Sequence, residues 1–182
     1  MGRPKLLLPW GKTSIIGHLV QQWRNTGAAQ IAVVRAADDS MLDEACAGLP
    51  SIINPAAERG MFSSIQCAAE WTHWNKSLTH WVIALGDQPH LRETTLQTLL
   101  ASAAQSADDI CQPARNGRGR HPVVLPKTAF ERIHTTTAAD LKAFLASAAE
   151  HRRMIELDDP GLDLDIDTPE DYEQAKKLVG IA

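Results

Sequence analysis

Thr79-His80-Trp81-Val82-Ile83-Ala84-Leu85-Gly86-Asp87-Gln88-Pro89 is the stretch that decides the fold. A run dominated by apolar side chains continues without a charged residue and stops at a glycine. That is the pattern of a strand covered on both faces, as in parallel sheets sandwiched between helices. Working outward, Ile15, Ile16, Leu19, Val20 and Trp23 make a helical stripe ended by Gly27. Residues 30–35 and 51–53 read as strands, with a helix over 39–47 between them. A helix over 62–74 carries Ser63 and Ser64 near its N-terminus, and another covers 94–104. Residues 109–113 and 121–125 read as strands, and Phe130 belongs to a short helix. Thr137 with Asp140 caps a helix bearing Leu141, Phe144 and Leu145, and 153–157 is the last clear strand. This alternation predicts one α/β domain over residues 1–182: three layers, Rossmann-like, around a mostly parallel sheet.

Composition narrows the class of function. The chain has 182 residues, 44% hydrophobic and 22% charged, which suits a soluble globular protein with a sizeable core. A net charge of −4 provides no basic footprint for nucleic acid. Cys46, Cys67 and Cys111 are far apart and form no C-x-x-C, so reduced thiols are expected. Seven histidines show no H-x-x-x-H spacing. No apolar run approaches a membrane span, and Leu6 to Leu8 is too short for a signal-peptide core. The expectation is a cytoplasmic protein. Gly11-Lys12-Thr13 imitates the tail of a P-loop, but Leu6 stands where that motif requires glycine.

Three constellations carry chemistry. Asp87 follows Gly86 at a strand end, where open α/β sheets bind ligands, and could hold a hard cation; it could equally cap the following turn. Leu162-Asp163-Leu164-Asp165-Ile166-Asp167 alternates apolar and acidic residues, placing three carboxylates on one side of an extended chain. Their repulsion is relieved by a cation, and magnesium takes one or two carboxylates plus phosphate oxygens. Asp163 reads as bystander charge. Thr168, Pro169, Glu170 and Asp171 read as a helix cap and acidic first turn. Asn54, Pro55, Gly60, Met61, Ser63 and Ser64 make a loop before a helix N-terminus, suited to a flat ligand or to an ordinary connection.

These residues, with Met1-Gly2-Arg3-Pro4-Lys5-Leu6-Leu7-Leu8-Pro9, carry a resemblance. The opening resembles the end of L-A-A-G-x-S-x-R-M-G-x-P-K-L-L-L-P in the molybdenum cofactor cytidylyltransferases and related nucleotidyltransferases. Asp87-Gln88-Pro89 resembles that family's magnesium motif, and Asp165 to Asp171 matches its D-I-D-T-P-E-D residue for residue. Asn54 to Ser64 is similar to its N-P-x-x-x-x-G-M-x-x-S loop. Gly117 to Pro122 resembles its G-x-x-G-H-P loop, with Arg120 in place of glycine; a position needing φ > 0 would be strained by that arginine.

The resemblance implies transfer of CMP from CTP to the phosphate of a pterin, the molybdenum cofactor, with release of pyrophosphate. It makes Lys5 and Asp87 catalytic and Lys5, Asn54, Gly60 and Ser64 nucleotide-binding. It makes Arg118 and His121 acceptor-binding, and Asp87, Asp165 and Asp167 ligands of Mg2+. A molybdoenzyme or its chaperone is an implied partner. Rival readings are a sibling using GTP or another phosphorylated acceptor, and a non-catalytic cofactor-binding relative. The family's first strand and glycine loop lie upstream of the residue matching Met1. A longer natural product, with about 15 to 25 further residues, and a strand-wide gap in the sheet are therefore expected.

Overall fold

A computed structural model describes residues 4–181; Met1, Gly2 and Arg3, part of the opening match, lie outside the described residues. The chain enters through a short hairpin, β1 (Pro9–Trp10) and β2 (Thr13–Ser14). Ser14 then caps α1 (Ile15–Asn25), its hydroxyl accepting from Gly17 N at 3.2 Å and so satisfying one donor of the open first turn. β3 (Val33–Ala36), α2 (Ser40–Ala45) and β4 (Ser51–Asn54) follow, with β3 and β4 paired in parallel. Next come α3 (Met61–Glu70), β5 (His80–Ile83), α4 (Glu93–Ala104) and β6 (Ile110–Arg115). The chain continues through β7 (Arg118–Gly119), β8 (Val123–Pro126), α5 (Lys127–Thr135), α6 (Leu141–Ser147), β9 (Arg152–Glu156) and α7 (Pro169–Leu178).

The three layers follow from side-chain alternation along the central strands. Ile110, Val123 and Leu125 point to one face and pack with Ile65, Phe130, Ile133, Phe144 and Leu145 of α3, α5 and α6. Cys111 and Val124 point to the other, against Leu99 and Ala103 of α4. The class is therefore α/β, with a mixed sheet. β6 pairs with β9 in parallel, whereas β8 is antiparallel to both β5 and β6. Connection length explains the reversal. The link from Arg115 to Val123 is too short for the crossover that a parallel neighbour requires.

β3 and β5 belong to different ladders. β3 pairs with β4 and β5 with β8; among the described residues the two form no ladder with each other. A cavity of about 360 Å³ lies between them, lined by Ala32 and Val34 on one side and Trp81 and Ile83 on the other. His80 to Ile83 are consequently half-buried rather than covered on both faces. At α6 the cap is Asp140 alone, accepting from Ala143 N at 2.7 Å; the expected role of Thr137 is not seen. All three cysteines are free thiols. Among the described residues no helix is long and apolar enough to cross a membrane.

Candidate active site

Packing delivers Lys5. The turn Lys5–Leu7 is closed by Leu7 N donating to Pro4 O at 3.0 Å, and its leucines are pinned on two cores, Leu6 contributing to both. Leu6 also lies against Gly86 so closely that a Cβ there would come within 3.0 Å of Leu6 Cδ2. The bare glycine lets the lysine turn dock on the end of the β5 segment. Lys5 Nζ reaches Asp87 Oδ2 at 2.7 Å and Asp167 Oδ1 at 3.0 Å. Burial pulls the Lys5 pKa down, but hydrogen bonds and charge from Asp87 and Asp167 outweigh it and leave the ammonium favoured.

The acidic segment is held onto the same strand end by a few bonds. Ile166 N donates to the backbone oxygen of Asp87 at 3.2 Å, and Gln88 Nε2 donates to Asp165 Oδ1 at 2.8 Å. His90 lies within 3.1 Å of Gly161 O and 3.0 Å of Leu164 O through Nε2, so the neutral tautomer with Nε2–H donates to both. Its ring is buried and its pKa is lowered by that burial, against opposing contributions from the two carbonyls and from Asp159 and Asp165. Leu162, Leu164 and Ile166 go into the core while Asp163, Asp165 and Asp167 stay exposed, the alternation read from the sequence. The helix that follows has a full capping box between Thr168 and Asp171, with Pro169 in the first turn.

Asp87 does not cap a helix. One of its oxygens takes Lys5, and the other, Oδ1, is buried without a hydrogen-bond partner. An orphaned carboxylate oxygen at 19% side-chain exposure is a donor suited to a hard cation. Among the described residues, however, no three His, Cys, Asp or Glu side chains gather as a ready cage. The Lys5 ammonium stands between Asp87 and Asp167, and Asp165 is turned to Gln88.

The other expected site residues fall in two neighbouring places. Asn54 is buried and spends its amide internally, donating to Ser63 Oγ at 2.8 Å and Ser64 Oγ at 3.0 Å and accepting from Ala56 N. It shapes the loop, and Gly60, at φ 88°, makes the turn into α3 that a side chain would strain. Ser64 lines the 360 Å³ cavity together with Leu6 and Gly86, next to Lys5 and Asp87 in the chain. His121 is half-buried beside Ile83 O at 3.4 Å; burial lowers its pKa, while Ile83 O, Asp165 and Asp87 work against that. Arg118 projects from the β6–β7 hairpin into a separate cavity of about 520 Å³ with Arg115, Asn116, Arg120 and Asp163. Arg120 carries no positive φ, so the feared strain is absent. Asp163 is no bystander: it is ion-paired to Arg115 and Arg120.

Gln88, His90 and Arg115 were not among the expected site residues. The first two flank Pro89 immediately after Asp87, yet a buried histidine that ties down a distant loop leaves no trace in spacing.

Comparison with known proteins identifies the family and the fold. Residues 1–154 match the family model of the MobA-like NTP transferase domain. The chain is 24% identical over 181 residues to the molybdenum cofactor cytidylyltransferase of Escherichia coli K12, covering 97% of this chain and 89% of that protein. The Rv0371c protein of Mycobacterium tuberculosis H37Rv superposes with a TM-score of 0.77 at 24% identity, over 97% of this chain and 90% of the other. Its complex with manganese superposes at 0.74 and 25% identity, over 97% and 93%. A nucleotidyl transferase from Methanothermobacter gives 0.79 at 18% identity, over 97% and 85%.

Proposed function

The chain belongs to the MobA-like NTP transferase domain family, and on that premise we propose that this nucleotidyltransferase moves CMP from CTP onto the phosphate of a pterin, the molybdenum cofactor. The observation that carries the reading is Lys5, held at 2.7 and 3.0 Å between the carboxylates of Asp87 and Asp167 beside an apolar cavity. The Escherichia coli relative, a molybdenum cofactor cytidylyltransferase, supports the choice of CTP and acceptor.

In the reaction an acceptor phosphate oxygen bonds to the α-phosphorus of CTP, the α–β bridging bond breaks, and pyrophosphate leaves. Such chemistry asks for positioning and for charge neutralisation more than for covalent help. Lys5 would exchange its two carboxylates for the triphosphate, acting as a compact point charge. Asp87 and Asp167, with Asp165 beside them, would hold Mg2+, whose part is to neutralise phosphate oxygens. The manganese complex of the mycobacterial relative is consistent with a divalent ion in such a fold. Asn54 and Gly60 would keep the loop in shape while Ser64 faces the nucleoside, and Arg118 and His121 would meet the acceptor. A cytoplasmic location, and delivery to a molybdoenzyme or its chaperone, complete the reading.

Thermal-shift titration with CTP, GTP, ATP and UTP, each with and without Mg2+, tests the donor. The largest stabilisation is expected from CTP with Mg2+. Equal stabilisation by GTP would overturn the base assignment, and no pyrophosphate release from CTP and a phosphorylated pterin would overturn the acceptor.

A further inference from the structure

We propose that Arg115, Arg118 and Arg120 form an anion subsite for a phosphate monoester, and that Asp163 occupies it as an internal counter-ion when the phosphate is absent. The hairpin between β6 and β7 turns on Asn116 and Gly117, both at positive φ (53° and 69°), the signature of a two-residue primed turn. The turn makes Arg115 and Arg118 direct cross-strand partners, so both side chains leave the same face. Like charges placed opposite one another destabilise a hairpin. Arg120 joins them, its backbone N donating to Pro113 O at 2.7 Å beside the same hairpin.

Asp163 answers only part of this charge. One of its oxygens accepts from Arg115 Nη1, and the other accepts from Arg120 Nε at 2.8 Å and Nη2 at 2.5 Å. Arg118 makes no side-chain hydrogen bond or ion pair among the described residues, although it lines the same 520 Å³ cavity. Among the residues lining the cavity three are arginines and one is an aspartate, an excess of positive charge that Glu156, accepting from Gly117 N at 3.3 Å, offsets only in part. A carboxylate has two oxygens and both are taken; a phosphate monoester carries a second charge and a third terminal oxygen, which would engage Arg118. Guanidinium forks match that oxygen geometry. Arg120 precedes His121 and Asp163 stands two residues before Asp165, so the subsite adjoins the Lys5 site along two short segments of chain. Identifying its occupant as the acceptor's phosphate rests on the proposed function; the subsite itself does not.

The test is calorimetric titration with inorganic phosphate at low salt, in a Lys5→Ala background that removes the other cationic site. Arg118→Ala should weaken phosphate binding about tenfold, the loss of one charge-assisted contact, without lowering the melting temperature, because the side chain is exposed and its removal relieves the cross-strand repulsion. Asp163→Asn should tighten binding about tenfold by removing the competing carboxylate while keeping the side chain's shape. Absence of phosphate binding in the Lys5→Ala protein, or titrations indifferent to both substitutions, would overturn the proposal. Phosphate binding that responds as stated in a protein unable to use CTP would leave the subsite standing and the proposed reaction fallen.

Discussion

His90→Leu isolates what positions the acidic segment. Leucine is close to histidine in volume, so the substitution removes the Nε2–H donor without opening a large cavity. Two buried carbonyls, Gly161 O and Leu164 O, then lose a partner they now have at 3.1 and 3.0 Å. An unsatisfied buried acceptor costs about 1–3 kcal/mol. Taking about 2 kcal/mol for the shared donor, the melting temperature of a chain this size should fall by about 4–8 °C. The segment that then loosens is the one bringing Asp165 and Asp167 to Asp87, so turnover of the still-folded enzyme should drop about ten- to a hundredfold, with a smaller change in KM for the nucleotide. Differential scanning fluorimetry and a pyrophosphate-release assay well below the melting point read the two effects separately. An unchanged melting temperature would refute the hydrogen-bond argument. A lowered melting temperature with undiminished turnover would refute the positioning argument. The pH dependence is a further check. Burial holds the folded pKa of His90 below its ordinary 6.5, so below pH 6.5 the unfolded chain takes up a proton that the native state refuses. Stability from this group is present above 6.5 and is lost as pH falls toward the folded pKa. His90→Leu should therefore flatten that acid slope in part, leaving the shares contributed by His18 and His121, which burial shifts the same way.

Asp87→Asn should lower turnover by orders of magnitude with little change in melting temperature; a large stability loss instead would mean that the residue serves the turn. Lys5→Ala should weaken CTP binding more than cytidine binding in parallel titrations, since the proposed partner of the ammonium is charge; equal losses would make the lysine structural. Asp159→Ala should destabilise the fold by about 3 kcal/mol in urea unfolding, because a carboxylate at 2% exposure accepts from Arg92 N, Thr95 Oγ1 and Gly161 N at 2.7 to 3.0 Å. A shift below about 0.5 kcal/mol would show that this network contributes little.

What the sequence made legible was whatever depends on local pattern. The alternation at residues 162–167 requires every second side chain to face the core, and Leu162, Leu164 and Ile166 do. Thr168 to Asp171 spells a capping box because such a box is closed within four residues. The convergence of Lys5, Asp87 and Asp167 was legible only as three separate motifs, since what joins them is Leu6 packed on Gly86 and Ile166 bonded to Asp87 O. Neither bond has a spacing. The same reason hid His90, whose partners lie 71 and 74 residues away, and hid the pairing of Asp163 with Arg115 and Arg120, 48 and 43 residues away. The direction of β8 misled for a different reason: an apolar run reads alike in parallel and antiparallel strands, and the length of the connection before it decides which is reached. Charge behaved in the same way. Counted along the chain, Asp163 is one of three repelling carboxylates. In space it belongs to the arginine hairpin, which leaves Asp87 and Asp167 paired with Lys5 and Asp165 bonded to Gln88.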